Sequence, residues 1–339
     1  MRILIEILHP AHVHFFRNFA AEMIDSGHDV IVTSRDKDVT LDLLDEYGIE
    51  HEVLSIQRTG TPGLVHEQVE RVRKLSAIIR EQRPDALTGI MGPTIAVAGR
   101  LHRVPSIVFY DTEIATATNS WVYRMVDTVV TPECYEKSVP GDHLTYPGYH
   151  ELAYLHPNHF TPDRARLATF GLDAAEPYAV VRFVSWEASH DRGEQAMSLQ
   201  AKRRLVEELG KHGRVVISSE GPLPEDLTPL AVSGPKRDIH HVLAFASLYA
   251  GESATMASEA AVLGTPALYI ADSPRGYIND LERRGLAAAV ATGDVAAAID
   301  AARVFRENPI IVATAHAELL RDNVDVTAWM TDFFAGRFG

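Results

Sequence analysis

Strand-length apolar runs alternate with helix-length segments along almost all of this 339-residue chain, and the alternation stops once and then restarts. Residues 3–8 read as a strand, 14–26 as a helix closed by Gly27, and 29–33 as the next strand. The polar turn Ser34-Arg35-Asp36 leads to a helix at 39–47, then Gly48 and a strand at 49–54. A long charged helix at 64–82 ends at Arg83-Pro84, since the residue before a proline is pushed out of the helical region. Strand 86–90, helix 93–102 and strands 106–110 and 128–131 follow. The strands are apolar at consecutive positions, the pattern of a parallel sheet covered on both faces and joined by right-handed helical crossovers.

Residues 155–176 break the rhythm with Pro157, Pro162 and Gly171, mixed polarity and no strand, so they read as a connection between domains. Strands are then expected at 178–184, 214–218, 248–251, 267–270 and 286–290. Helices are expected at 194–212, 238–245, 254–263, 277–284 and 295–306, with a final helix or pair between 310 and 334. The fold class is therefore α/β, with two doubly wound parallel sheets. The boundaries fall at 1–154 and 177–308, with 155–176 as linker and 309–339 as a terminal helical segment. Two such domains facing each other would place a ligand cleft at the carboxyl ends of both sheets.

Composition excludes several classes of function. A net charge of −14 argues against a nucleic-acid partner, which requires a basic face. A single cysteine, Cys134, allows neither an intrachain disulfide nor a cysteine-rich metal site, and suits a reducing cytoplasm. With 46% hydrophobic residues and a mean hydropathy of −0.05 the chain is globular, and no apolar run reaches the length of a membrane span. The apolar run before His9-Pro10 is too short for a signal peptide and reads as a first strand. Peripheral membrane contact stays open, as does the choice between monomer and homodimer.

The chemistry concentrates in loops at the carboxyl ends of the expected strands. In the segment 251–270, small residues Ser253, Ala254 and Thr255 at a helix entrance let backbone N–H groups and the positive helix end meet an anion. Glu259 follows one turn later, where a carboxylate can accept from a pair of sugar hydroxyls. That layout suits a nucleotide diphosphate, and it equally suits a plain crossover with a capping serine. After the first strand, His9, His12 and His14 invite a metal reading, yet no ligand cluster of fixed spacing accompanies them, so no metal is expected. A histidine here can instead act as a base, and His14 is the candidate. Asp111, Glu113 and Asn119 follow the fifth strand, as a helix cap or as cleft-facing groups. Arg182 and Arg192 can clamp phosphate through their guanidinium forks, with His190 between them. Ser219 and Arg275 end two further strands. Neither a GxGxxG fingerprint nor a P-loop occurs, and there is no GxSxG elbow.

The opening segment at 3–37 with its HPAHVHFF string, the DTE at 111–113, the RFVSWEASHDRG loop at 182–193 and the SEAAVLGTP segment at 258–266 occur in one order. In that order they resemble the DUF354 family, prokaryotic and largely archaeal proteins grouped with UDP-N-acetylglucosamine 2-epimerases and nucleotide-sugar glycosyltransferases. The resemblance covers nearly the whole chain and implies a GT-B-like fold with a C-terminal helix crossing back to the first domain. Similarity to the epimerases implies that Ser253 and Thr255 touch phosphate and that Glu259 holds the ribose, and it sets their catalytic glutamate near Glu113. Two carboxylates are missing. The epimerases' Gly-Asp-Thr falls on Gly92-Pro93-Thr94, and their second glutamate falls among residues 116–118, where Asn119 is followed by Ser120.

These observations lead to the expectation of a metal-independent glycosyltransferase that uses a nucleotide-diphosphate sugar, UDP-linked, and no cofactor. Arg182, His190 and residues 253–255 would hold the leaving diphosphate, while His14 or Glu113 deprotonates the acceptor. The alternatives are an epimerase and a non-catalytic nucleotide-sugar-binding protein. The acceptor, a sugar or a lipid-linked group, is not legible. Phe15 and Phe16 suit either an apolar acceptor patch or packing of the first helix.

Overall fold

The computed structural model describes residues 1–173, 175–183, 197–219 and 222–339. The chain divides into two compact units, Met1–His159 with Val324–Gly339, and Phe160–Asn323.

The first unit is built on seven strands, β1 Arg2–Ile7, β2 Asp29–Asp36, β3 Glu52–Ile56, β4 Ala86–Ile90, β5 Ser106–Phe109, β6 Thr128–Pro132 and β7 His143–Tyr146. They pair in parallel in the order β3-β2-β1-β4-β5-β6-β7. Consecutive β1 residues Ile3, Leu4 and Ile5 are all fully buried, because helices cover both faces of the sheet. The first helix spans Pro10–Asp25, four residues earlier than its periodicity suggests. Pro10 sits at the first helical position, where its missing N–H costs nothing, and the His9 side chain caps the helix by accepting from Ala11 N–H. Phe15 and Phe16 are each 1% exposed, so both rings belong to the packing of this helix.

The second unit carries β8 Tyr178–Phe183, β9 Arg214–Ser219, β10 Leu248–Gly251, β11 Ala267–Ile270 and β12 Ala287–Val290, parallel in the order β12-β11-β10-β8-β9. The segment expected as a linker is divided between the units, residues 155–159 in the first and 160–176 in the second. Arg164–Phe170 forms a 3-10 helix capped by Asp163, with Leu167 and Phe170 buried and the Arg164 guanidinium 4.8 Å from the Phe245 ring centroid. Its prolines and glycine close turns around two apolar anchors.

The terminal segment is a pair of helices with different destinations. Pro309–Asp322 stays with the second unit, where His316 Nε2 lies 2.8 Å from the Val262 carbonyl. Val326–Phe338 belongs to the first. Asp325 caps it, and the same carboxylate pairs with His159 at 2.8 Å and Asn158 at 2.9 Å. Thr327 donates to the Ala153 carbonyl at 2.6 Å, and Phe334 packs on Phe19. Among the described residues no helix is long and apolar enough to cross a membrane.

Candidate functional site

In the second unit the polar groups collect where β8, β9 and β10 end. Gly251 closes β10 against β8 so tightly that a Cβ there would lie 2.2 Å from the Arg182 carbonyl oxygen. The chain then turns into the helix Ala254–Val262 with Ser253 as its cap. Ser253 Oγ accepts from Met256 N–H at 3.3 Å, so the capping reading of that hydroxyl holds. The first-turn amides of Ala254 and Thr255 have no hydrogen-bond acceptor among the described residues, and all three residues are partly exposed. An entrance with open amides is suited to an anion.

Charged groups flank that entrance. Arg182 donates to Ser218 Oγ at 2.8 Å. Glu252 is buried, accepting from Met197 N–H at 2.8 Å and pairing with Lys202 Nζ at 3.2 Å. Burial pulls the Lys202 ammonium below its usual range, against the pull of Glu252. Glu259 lies on the same helix as Ser253 and pairs with His240 Nε2 at 3.0 Å. Ser219 ends β9. Arg275 immediately precedes the next helix, donates to the carbonyls of Ser273 and Pro274, and lines a cavity of about 270 Å³ at the ends of β11 and β12. His190 and Arg192, expected beside Arg182, lie outside the described residues.

In the first unit the carboxyl ends of β1, β5 and β7 bring His9, His12, Asp111 and His150 together. Asp111 Oδ2 lies 3.2 Å from His150 Nδ1 and accepts from Thr112 Oγ1 through its other oxygen. Burial opposes its charge, but His150, Thr112 and His12 outweigh that and hold the carboxyl at about 2. Burial, then Lys37, lowers His9 to about 4, and burial, then His9, carries His12 well below its ordinary value. Both rings are therefore neutral at pH 7. Each accepts a backbone N–H at Nδ1, His9 from Ala11 and His12 from Leu8, so each carries its proton on Nε2 and acts as a donor. His150 directs Nδ1 at Asp111, and its buried Nε2 has no hydrogen-bond partner among the described residues.

His14 is elsewhere. Its ring stacks on Tyr154 at 5.3 Å and meets Tyr47 edge-on, and the residue is 6% exposed. Glu113 and Asn119 come together on a cavity of about 250 Å³ that Tyr123, Arg124 and Lys137 also line. Glu113 accepts from Glu136 N–H at 3.2 Å. Among the described residues no group of three His, Cys, Asp or Glu is arranged to hold a metal ion. An acid-x-acid triplet, Asp36-Lys37-Asp38, does lie at the end of β2, where Lys37 pairs with Asp38 at 3.5 Å. A further cavity, about 370 Å³, is at the opposite, amino edge of the second sheet, lined by Leu209, Leu248, Phe305 and Val312 with Arg214 and Arg306.

Two residues of these clusters carried no sequence signal. His150 follows β7, a short half-polar edge strand that the hydrophobic pattern does not reveal. His240 stands beside His241 on an expected helix, and nothing local marks its partner.

Solved structures share this architecture at low identity. The UDP-GlcNAc 2-epimerase of Neisseria meningitidis, bound to UDP-GlcNAc, is similar over 99% of this chain and 100% of its own, with a TM-score of 0.75 and 12% identity. The glycotransferase of kitacinnamycin is similar over 100% and 99%, with a TM-score of 0.67 and 13% identity. The spinosyn forosaminyltransferase SpnP is similar over 99% of both chains, with a TM-score of 0.64 and 14% identity. No curated protein matches the sequence. The two parallel-sheet domains thus define a GT-B-like protein, as the sequence motifs imply. Residues 1–278 match the family DUF354, "Protein of unknown function", and the chain belongs to that family.

Proposed function

We propose that this protein is a glycosyltransferase that takes its sugar from a nucleotide-diphosphate donor, UDP-linked. The observation that carries the reading is the turn from β10 into the helix Ala254–Val262, with open amides at Ala254 and Thr255 and a buried carboxylate, Glu259, further along the same helix. The diphosphate binds at the helix entrance beside Arg182, and the ribose hydroxyls donate to Glu259. Glycosyl transfer leaves negative charge on the departing diphosphate. Helix amides and a guanidinium stabilise that charge without a metal ion or cofactor. On the acceptor side Glu113, which opens on a cavity shared with Asn119, takes the proton of the attacking hydroxyl. His14, enclosed by two tyrosines, takes no part. Its single cysteine fits a cytoplasmic enzyme.

An epimerase would need an acid where Pro93 stands at the first position of the helix Pro93–His102, and none is supplied there. A protein that only binds the nucleotide sugar would share the donor site and lack turnover.

Isothermal titration with UDP, GDP and UDP-N-acetylglucosamine, comparing wild type with Glu259→Ala, tests the reading. Micromolar binding of the uridine ligands is expected, weakened at least tenfold by the substitution, as for the loss of about 1.4 kcal/mol or more. Absence of nucleotide binding to the wild type would sink it.

A further inference from the structure

The carboxylate assigned to the ribose is itself held by a second buried group. His240, on the helix Ile239–Ala244, places Nε2 3.0 Å from Glu259 Oε1, and the two side chains are 1% and 6% exposed. The His240 ring is seated edge-on against Phe160, centroids 6.1 Å apart. Thr265, just past the Glu259 helix, donates to the Leu243 carbonyl at 2.7 Å and ties the two helices together. The pair is thus fixed from both sides by packing within one unit.

Building on the proposed donor site, we infer that His240 is a positioning residue that sets the preference of this site for ribose over deoxyribose. A buried carboxylate without a donor has nothing to hold its oxygens in one plane. N–H donation from His240 fixes the plane of the Glu259 oxygens. A carboxylate offers about four lone-pair sites, so one edge can be held by imidazole while others accept from vicinal hydroxyls. A deoxyribose brings one hydroxyl fewer and leaves a desolvated acceptor unmet, which a site built on hydrogen bonds penalises heavily. Without His240 the carboxylate loses its orientation, and the second hydroxyl stops mattering.

The test is titration of the full chain with UDP and with 2′-deoxy-UDP, in wild type, His240→Ala, His240→Gln and His240→Asn. Wild type is expected to prefer UDP by about tenfold or more. In His240→Ala the UDP affinity is expected to fall about tenfold while the deoxy ligand is held as before, so that the preference disappears. His240→Gln, whose amide N–H reaches the place of Nε2, is expected to restore it. His240→Asn, too short to reach Glu259, repeats the loss if the alanine variant does not fold. Equal weakening of both ligands, or an unchanged preference in the Ala and Asn variants, would overturn the inference and leave the donor site standing. Failure of the wild type to bind either ligand would remove the donor site and this role together.

Discussion

At the scale of single residues, burial decides which ionisable groups are charged. Glu6, on β1, is 1% exposed and neither oxygen makes a hydrogen bond of normal geometry. Burial pushes its carboxyl up, and the nearby Arg71, Thr94 hydroxyl and Arg35 pull it back without cancelling the rise. Folding therefore favours the protonated form. Its contribution to stability is complete below the unfolded value near 4.5 and is lost as pH rises through the raised folded value. Glu6→Gln, neutral at every pH, is expected to melt with wild type near pH 4 and a few degrees higher near pH 8. Scanning calorimetry at the two pH values checks this, and equal melting at both would refute it. The same logic separates the imidazoles. Which of them donate and which accept was not legible in the HPAHVHFF string, because the tautomer follows from the backbone amide or carboxylate that the fold brings to Nδ1.

At the scale of elements, helix caps and strand ends position the candidate site. Most strands were legible, since an apolar run closed by a glycine or proline has few other uses. The exceptions are informative. The first helix starts at Pro10 because a capping histidine and a proline at the first position override the later onset of amphipathic spacing. β7 was missed because a four-residue edge strand needs only one neighbour and little apolar surface. The turn proposed to hold the donor depends on the close approach of β8 and β10 at Gly251. Gly251→Ala must push the two strands apart or tilt the turn, because the new Cβ meets backbone rather than a flexible side chain. A loss of about 2–3 kcal/mol in stability is expected, with weaker UDP binding, by analogy with overpacked cores. Denaturant unfolding together with titration reads both, and a variant as stable as wild type would show that the strands have slack.

At the scale of the whole molecule, the first unit is discontinuous in sequence and the second is not. The helix Val326–Phe338 docks on the first unit through Asp325, Thr327 and Phe334, all well buried or hydrogen-bonded there. Deleting residues 324–339 is expected to destabilise that unit selectively. Amide deuterium uptake should rise in Pro10–Asp25 and Leu152–Leu155 and stay unchanged across β8–β12. Unchanged uptake in the first helix would mean that the terminal helix is an ornament rather than part of the core. The two doubly wound parallel-sheet domains were legible because their strand–helix rhythm is repeated twice, whereas the GT-B-like arrangement was implied only by the motif resemblance; solved structures at little more than a tenth identity share the fold.

Local physics determined the α/β class, the two parallel sheets, the approximate strand and helix positions, and the helix entrance at Ser253, since each depends on residues within a few positions of one another. Tertiary structure alone decided that His14 lies between two tyrosines, that Asp111 finds His150, that Glu259 finds His240, and that the last two helices part company. Those pairings join residues far apart in the chain. They form because parallel strands deliver their ends to one edge of a sheet and helices bury whatever lies between them, an outcome that no local pattern encodes.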